Sequence, residues 1–207
     1  MWGRLLFWKA SQAVARILTT LLFDLKVEGQ HFVPEHGGAL IVANHQSYLD
    51  PVVLAVQLRR PTSYLATSEL FQKHWAASLI HRFNGIAVRQ GAGDVGAMKE
   101  TIRRLRNGQL LVIFPEGERS RTGQIGVIQR GVGLVVRRAA VPVIPAVIVG
   151  AYEAWPVQRK MFRPLPVRVR FGPKLNLVGL DRDEIVATID HTLRQMFDEL
   201  REPRARR

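Results

Sequence analysis

Ala39-Leu40-Ile41-Val42-Ala43-Asn44-His45-Gln46-Ser47-Tyr48-Leu49-Asp50 is the stretch on which the fold turns. Its first five residues are apolar and follow a His36-Gly37-Gly38 loop, so they read as a buried strand. A helix is expected from near Ser47 to about Leu58. Sites in α/β proteins lie where strand ends pass into helix starts. His45 and Asp50 stand at that junction, five residues apart. The spacing lets the carboxylate approach the imidazole, keep one ring nitrogen protonated and leave the other free to take a proton, as in the histidine–aspartate half of a serine triad. The nucleophile would then be a hydroxyl of the substrate. The plainer alternative is a helix cap at Asn44 or Ser47 with His45 merely adjacent.

Working outward, strands and helices alternate. Strands are expected at Ile86–Val88, Leu110–Phe114, Val141–Val149 and, by alternation with Arg168 and Arg170, at Val167–Phe171. Helices are expected around Trp75–Phe83, at Val95–Arg106 before the Asn107-Gly108 stop, at Gly131–Ala139 and at Asp181–Glu199. This order specifies an α/β single domain with a largely parallel or mixed sheet flanked by helices. Residues 2–25 carry an N-terminal amphipathic helix. Phe7, Ala10, Val14, Ile17, Leu18, Leu21 and Leu25 share one face, with Arg4, Ser11, Gln12, Arg16 and Thr19 on the other side. Two readings are open for it: a helix lying in a membrane interface, with Trp2 and Trp8 near its start, or a helix packed on its own core.

The chain has 207 residues, 47% of them hydrophobic, which suits one domain with a sizeable core and excludes a disordered chain. It has no cysteine, which excludes a disulfide framework, cysteine-ligated zinc and a thiol nucleophile. The net charge is +13, and 24 of the 30 basic residues are arginine. That balance favours phosphate-bearing partners such as anionic membrane or a phosphorylated substrate, and no nucleic-acid motif is present. No apolar run reaches the roughly 18 residues that span a bilayer. Ala139–Tyr152 is uncharged but carries Pro142 and Pro145. No small-residue cleavage site follows the first apolar stretch, so a signal peptide of the usual form is not expected.

A second constellation, Phe114-Pro115-Glu116-Gly117-Glu118-Arg119-Ser120-Arg121, also leaves an apolar strand directly. Its arginines and freed backbone N–H groups suit a phosphate, against the alternative of a solvated charged loop. Gly91-Ala92-Gly93-Asp94-Val95-Gly96 matches a dinucleotide-binding spacing. However, Asp94 would put a negative charge where a pyrophosphate belongs, and Arg89 and Gln90 separate the glycines from the strand. Asp94 reads better as a helix N-cap.

Together, Asn44-His45-x-Ser47-x-x-Asp50 and Phe114–Ser120 resemble the glycerolipid acyltransferase family, typified by 1-acyl-glycerol-3-phosphate acyltransferase. The family's blocks are usually written N-H-x-S-x-x-D and F-P-E-G-T-R-S; Glu118 replaces the threonine. Arg121-Thr122-Gly123, Arg130-Gly131 and Val143-Ile144-Pro145-Ala146 continue the likeness, which spans roughly residues 27–172. The resemblance implies His45 as general base, Asp50 orienting it, and a substrate-binding set of Arg89, Glu116, Gly117, Arg119 and Ser120. It implies an acyl-CoA or acyl-carrier-protein donor, a lysophospholipid acceptor, and no metal or cofactor; the basic charge and the N-terminal helix add an anionic membrane surface as a partner. One departure bears on the acceptor. The family places an arginine four residues after the isoleucine of its second block. Here Ile86-Ala87-Val88-Arg89-Gln90 holds Gln90 there, with an arginine one place earlier.

The expected organisation is a membrane-interface helix at 1–26, an acyltransferase domain at 27–200 and a basic tail at 201–207. The protein would be peripheral on the cytoplasmic face of a bacterial membrane. Other readings are transfer to another lyso-lipid or glycolipid, or a non-catalytic basic surface-binding protein. Backbone N–H groups just after His45 are candidates for stabilising the oxyanion.

Overall fold

The computed structural model describes residues 2–67, 86–88 and 95–202. In chain order its elements are α1 (Trp2–Phe23), β1 (Lys26–Glu28), β2 (Ala39–Ala43), α2 (Asp50–Ala55), β3 (Thr62–Thr67), β4 (Ile86–Val88), α3 (Val95–Arg106), β5 (Leu110–Ile113), α4 (Gly131–Ala139), β6 (Val143–Val149), α5 (Ala151–Ala154), β7 (Arg168–Phe171) and α6 (Arg182–Arg201). The seven strands form one sheet in the order β1-β7-β6-β2-β5-β3-β4. β2 lies at its centre, parallel to both β5 and β6. Among the described residues the one antiparallel pairing is β6 with β7, which makes the sheet mixed.

Helices cover both faces of the sheet, and this explains the unbroken apolar run of β2. Ala39, Ile41 and Ala43 face a core with Phe23, Leu25, Val53 and Leu54 from the α1–α2 side. Leu40 and Val42 face a second core with Leu105, Val132, Val136, Ile185, Ile189 and Leu193 from α3, α4 and α6. Every residue of β2 is fully buried. α6 begins with a capping box, in which Asp181 accepts from the N–H groups of Asp183 and Glu184 while Glu184 accepts from the Asp181 N–H.

Several expectations are revised. The helix after His45 starts at Asp50, three residues later than expected, and is short. β1, β3 and α5 had no apolar pattern to announce them. β3 opens on Thr62 and Ser63, which are polar yet buried. The helix expected at Trp75–Phe83, the glycine-rich turn with Asp94, and residues Arg89 and Gln90 lie outside the described residues. α6 runs on through Arg201 before the basic end of the chain.

The orientation of α1 departs most from an ordinary surface helix. Val14, Ile17, Leu18, Leu21 and Leu22 are exposed, Leu21 at 77%. The inward face is the polar one. Gln12 Nε2 donates to the carbonyls of Ala55 and Leu58, and Arg16 Nε and Nη2 donate to Val56 O at 3.0 and 2.8 Å. These bonds satisfy carbonyls at the C-terminal end of α2, where a cation also suits the helix dipole. Thr19 and Phe23 are buried beneath. Val14, Ile17, Leu18 and Leu21 of the apolar stripe are thus not packed on the protein's own core, whereas Leu25, just past the helix, is buried in it. No helix among the described residues is long and apolar enough to cross a membrane.

Candidate active site

The site sits where β2 and β5 leave the sheet side by side. Asn44, the first residue past β2, continues the sheet with its side chain. Its Nδ2 donates to Ile148 O at 2.9 Å, and its Oδ1 accepts from Ile148 N at 2.8 Å. This two-pronged clamp on β6 fixes where the chain turns, and His45 is the next residue.

The expected approach of Asp50 to His45 is present, with Nδ1 and Oδ2 2.7 Å apart. Asp50 is fully buried at the first position of α2. Its Oδ2 also accepts from the N–H groups of Gln46 and Ser47 at 2.6 and 2.7 Å. Three donors therefore converge on one oxygen, and Oδ1 has no hydrogen-bond partner among the described residues. This hub fixes the carboxylate and holds Nδ1 as the protonated nitrogen, leaving Nε2 as the acceptor. It also takes the Gln46 and Ser47 N–H groups out of consideration as oxyanion donors. The helix-cap alternative is not what forms, because α2 has no side-chain cap bond.

The imidazole stacks on Phe114, the first residue past β5, with centroids 4.0 Å apart and planes 12° apart. Its side chain stays 19% exposed, so one edge is open to a substrate. The backbone of His45 is held separately by Glu116. Glu116 Oε1 accepts from His45 N at 2.7 Å, and Oε2 accepts from Gly126 N at 2.6 Å. Burial pushes the Glu116 carboxyl above its ordinary range, against the pull of these two N–H groups and of His45. Both oxygens are committed to backbone, so the geometry gives Glu116 a clamping position rather than an open contact. A Cβ at Gly126 would stand 3.0 Å from Glu116 Oε2, so any larger residue there would press on this carboxylate. Gly117 has φ 78°, the left-handed turn that aims the loop back over His45.

Ser120 lies in the same loop. Its N–H donates to His45 O at 2.8 Å, and its Oγ accepts from Gly123 N at 3.0 Å. The Arg119 guanidinium stands 4.0 Å over the Tyr48 ring. Gln46 Nε2 donates to Gly123 O at 2.7 Å, and Ser47 Oγ donates to Trp155 O at 2.7 Å. The structure thus brings together His45, Asp50, Glu116, Gly117, Arg119 and Ser120. Arg89 directly follows the edge strand β4, outside the described residues. Arg130 ion-pairs with Asp183. Sequence reasoning missed Trp155, Gly126 and the stacking role of Phe114. Only Phe114 carried a signal, as the residue ending an apolar strand. No group of three or more potential metal ligands is found among the described residues.

A partly exposed histidine held by a buried aspartate at the end of a central parallel strand, facing a basic loop from the next strand, is the arrangement of one class of transferase. The family model described as Acyltransferase matches residues 24–149, more than half of the sequence, and the chain belongs to that family. It is an O-acyltransferase. Its relatives are more particular. It is 25% identical over 189 residues to 1-acyl-sn-glycerol-3-phosphate acyltransferase of Bacillus subtilis (strain 168), covering 89% of this chain and 92% of that one. It is 30% identical over 191 residues to 1-acyl-sn-glycerol-3-phosphate acyltransferase alpha of Mus musculus, covering 87% of this chain and 66% of that one. The crystal structure of the 1-acyl-sn-glycerophosphate acyltransferase PlsC from Thermotoga maritima superposes with a TM-score of 0.83 at 25% identity, over 97% of this chain and 82% of that one.

Proposed function

We propose that the protein transfers a fatty acyl chain from acyl-CoA or acyl-carrier protein to the free hydroxyl of 1-acyl-glycerol-3-phosphate, giving phosphatidic acid. The observation that carries this reading is the three-donor hub on Asp50 Oδ2, which leaves His45 Nε2 free to accept a proton. His45 takes the proton of the acceptor hydroxyl, and the oxygen attacks the thioester carbonyl. The tetrahedral intermediate collapses by breaking the C–S bond, and the imidazolium returns its proton to the leaving thiolate. No acyl-enzyme forms. Asp50 stabilises the imidazolium, and such a positioned base contributes on the order of 10²–10⁴ in rate. Arg119 is the described cation next to this centre, and in this reading it meets the acceptor phosphate together with Arg89, the Gly117 and Ser120 loop supplying backbone contacts. Glu116 acts by fixing the His45 backbone.

In this reading residues 27–200 are the catalytic domain, and 201–207 a basic tail. α1 lies in the interface of the cytoplasmic leaflet with its exposed stripe in lipid, holding the enzyme peripherally at its acceptor.

The test is a panel of acceptors with one acyl-CoA. Thiol release is followed with a thiol reagent, which the cysteine-free chain does not consume, and products are read by lipid mass spectrometry. Lysophosphatidic acid is expected to be the preferred acceptor, with His45→Ala losing at least nine-tenths of the rate. A preference for a neutral lyso-lipid or glycolipid would favour the alternative acceptor, toward which Gln90 in the family's arginine position already points. No acceptor-dependent thiol release would leave the binding-protein reading.

A further inference from the structure

The segment joining α5 to β7, Val157-Gln158-Arg159-Lys160-Met161-Phe162-Arg163-Pro164-Leu165, takes no part in the chemistry above, yet its composition and placement are distinctive. Met161 is 77% exposed, and Phe162 and Leu165 are also exposed. Arg159, Lys160 and Arg163 flank them, are exposed, and form no ion pair with any described residue. A single exposed apolar residue means nothing on a surface. Three of them on one loop, interleaved with three uncompensated cations, match the chemistry of an anionic lipid interface.

The loop is not a loose excursion. Its root is pinned by Arg163 N donating to Ala154 O at 2.7 Å and by Trp155 Nε1 donating to Arg159 O at 3.2 Å. Phe162 packs edge-on against Phe23 of α1, centroids 5.5 Å apart, and against Trp155 at 5.9 Å. Trp155 in turn meets Tyr48 at 5.5 Å, and Tyr48 carries Arg119. A continuous run of ring contacts therefore leads from the basic loop of the catalytic site through Tyr48, Trp155 and Phe162 to Phe23, buried at the C-terminal end of α1, the helix whose outer face carries the exposed stripe. Amphipathic aromatic rings with adjacent cations are the residues that settle at a membrane–water boundary.

We propose that residues 157–165 are a second lipid-contacting element, which docks on an anionic phospholipid surface beside α1 and turns the open edge of His45 toward it. The proposal rests on the acceptor being a lipid. It adds that two elements, joined at Phe23–Phe162, fix the angle of approach where one helix would leave rotation about its axis free. Through the Ser47–Trp155 bond the loop root also touches the catalytic motif, so docking and the site share one rigid rim.

The absence of cysteine makes the test direct. Met161→Cys and, separately, Leu21→Cys are labelled with a polarity-sensitive fluorophore and mixed with vesicles of phosphatidylcholine alone or with 30% phosphatidylglycerol. With anionic vesicles both labels are expected to shift to the blue and to be quenched by lipid-borne quenchers, with a much smaller response on neutral vesicles and in high salt. Replacing Arg159, Lys160 and Arg163 together by Gln is expected to weaken anionic-vesicle binding on the order of 10²-fold, at about 5-fold per basic residue near such a surface. Turnover of a short-chain, detergent-dispersed acceptor should stay near wild type. A shift at position 21 without one at 161 overturns the proposal, leaving α1 as the sole anchor. A shift at 161 without lipid that grows with protein concentration assigns the loop to a second copy, and one elicited by an acidic carrier protein assigns it to that partner; either overturns it. Full turnover of dispersed acceptor with no shift at either position removes membrane docking while leaving acyl transfer standing.

Discussion

Asp50→Asn separates two ways in which the carboxylate can serve His45. In the serine triad the equivalent change costs about 10⁴ in turnover because the amide presents the wrong group and the imidazole adopts the wrong tautomer. Here the surroundings of Asp50 argue for a smaller loss. Oδ2 accepts from two backbone N–H groups besides the imidazole, while Oδ1 has no partner among the described residues. An asparagine that keeps its carbonyl at the Oδ2 position retains all three hydrogen bonds and puts its NH₂ where nothing was bound. The flipped amide would face two buried N–H groups with an NH₂ and leave both unsatisfied, at about 1–3 kcal/mol each. Even about 2 kcal/mol in total holds the productive orientation roughly 30-fold in excess. The correct tautomer therefore survives, and what is lost is the charge opposite the imidazolium. A hydrogen bond to a charged group is worth about 1.5–3 kcal/mol, so turnover should fall roughly 10- to 150-fold with little change in KM. Asp50→Ala strands the same donors and should both abolish turnover and destabilise the fold. Thiol release gives the rates, and imidazole ¹⁵N shifts report the tautomer. A folded Asp50→Asn protein that loses 10⁴ or more, or that shows the other tautomer, refutes the reasoning; one that keeps more than half its turnover refutes a role for the charge.

Three further outcomes are expected. Gln12→Ala with Arg16→Ala uncaps the carbonyls of Ala55, Val56 and Leu58 and should cost about 2–4 kcal/mol in urea unfolding; for the same reason, and because Thr19 and Phe23 are buried, removing residues 1–25 should weaken the fold as well as vesicle binding. Glu116 titrates above its ordinary value through burial, so the folded state holds its proton more tightly than the unfolded chain does. Its contribution is then complete below the ordinary glutamate range and is lost as pH rises through the raised value. Glu116→Gln should remove that fall, and parallel stability–pH curves for the two proteins would contradict it. For the acceptor head group, Arg89→Ala should raise the KM for lysophosphatidic acid strongly if a bulge after β4 turns Arg89 into the site. In a regular strand Gln90→Arg should instead improve use of the phosphorylated acceptor, since one residue of offset reverses the face.

What the sequence determined by itself was whatever short-range rules govern. The apolar run of β2 had to be buried, the Asn107-Gly108 stop and the Asp181 capping box set helix ends, and a histidine five residues before an aspartate across a turn had few ways not to meet it. The tertiary structure decided the rest. Thr62 and Ser63 look like surface and lie in a covered strand, because β5 and not their own composition places them. The stripe of α1 was legible, but its outward direction depends on Gln12 and Arg16 finding the end of α2, 43 and 40 residues away. Glu116 read as a substrate contact and is spent on the backbone of His45, 71 residues distant; Asn44 reaches Ile148 across 104 residues and Ser47 reaches Trp155 across 108. Periodicity and capping act within a turn or two of chain and leave their mark in neighbouring residues. A hydrogen bond between loops exists only once the strand order has set those loops side by side, and no local pattern encodes that order.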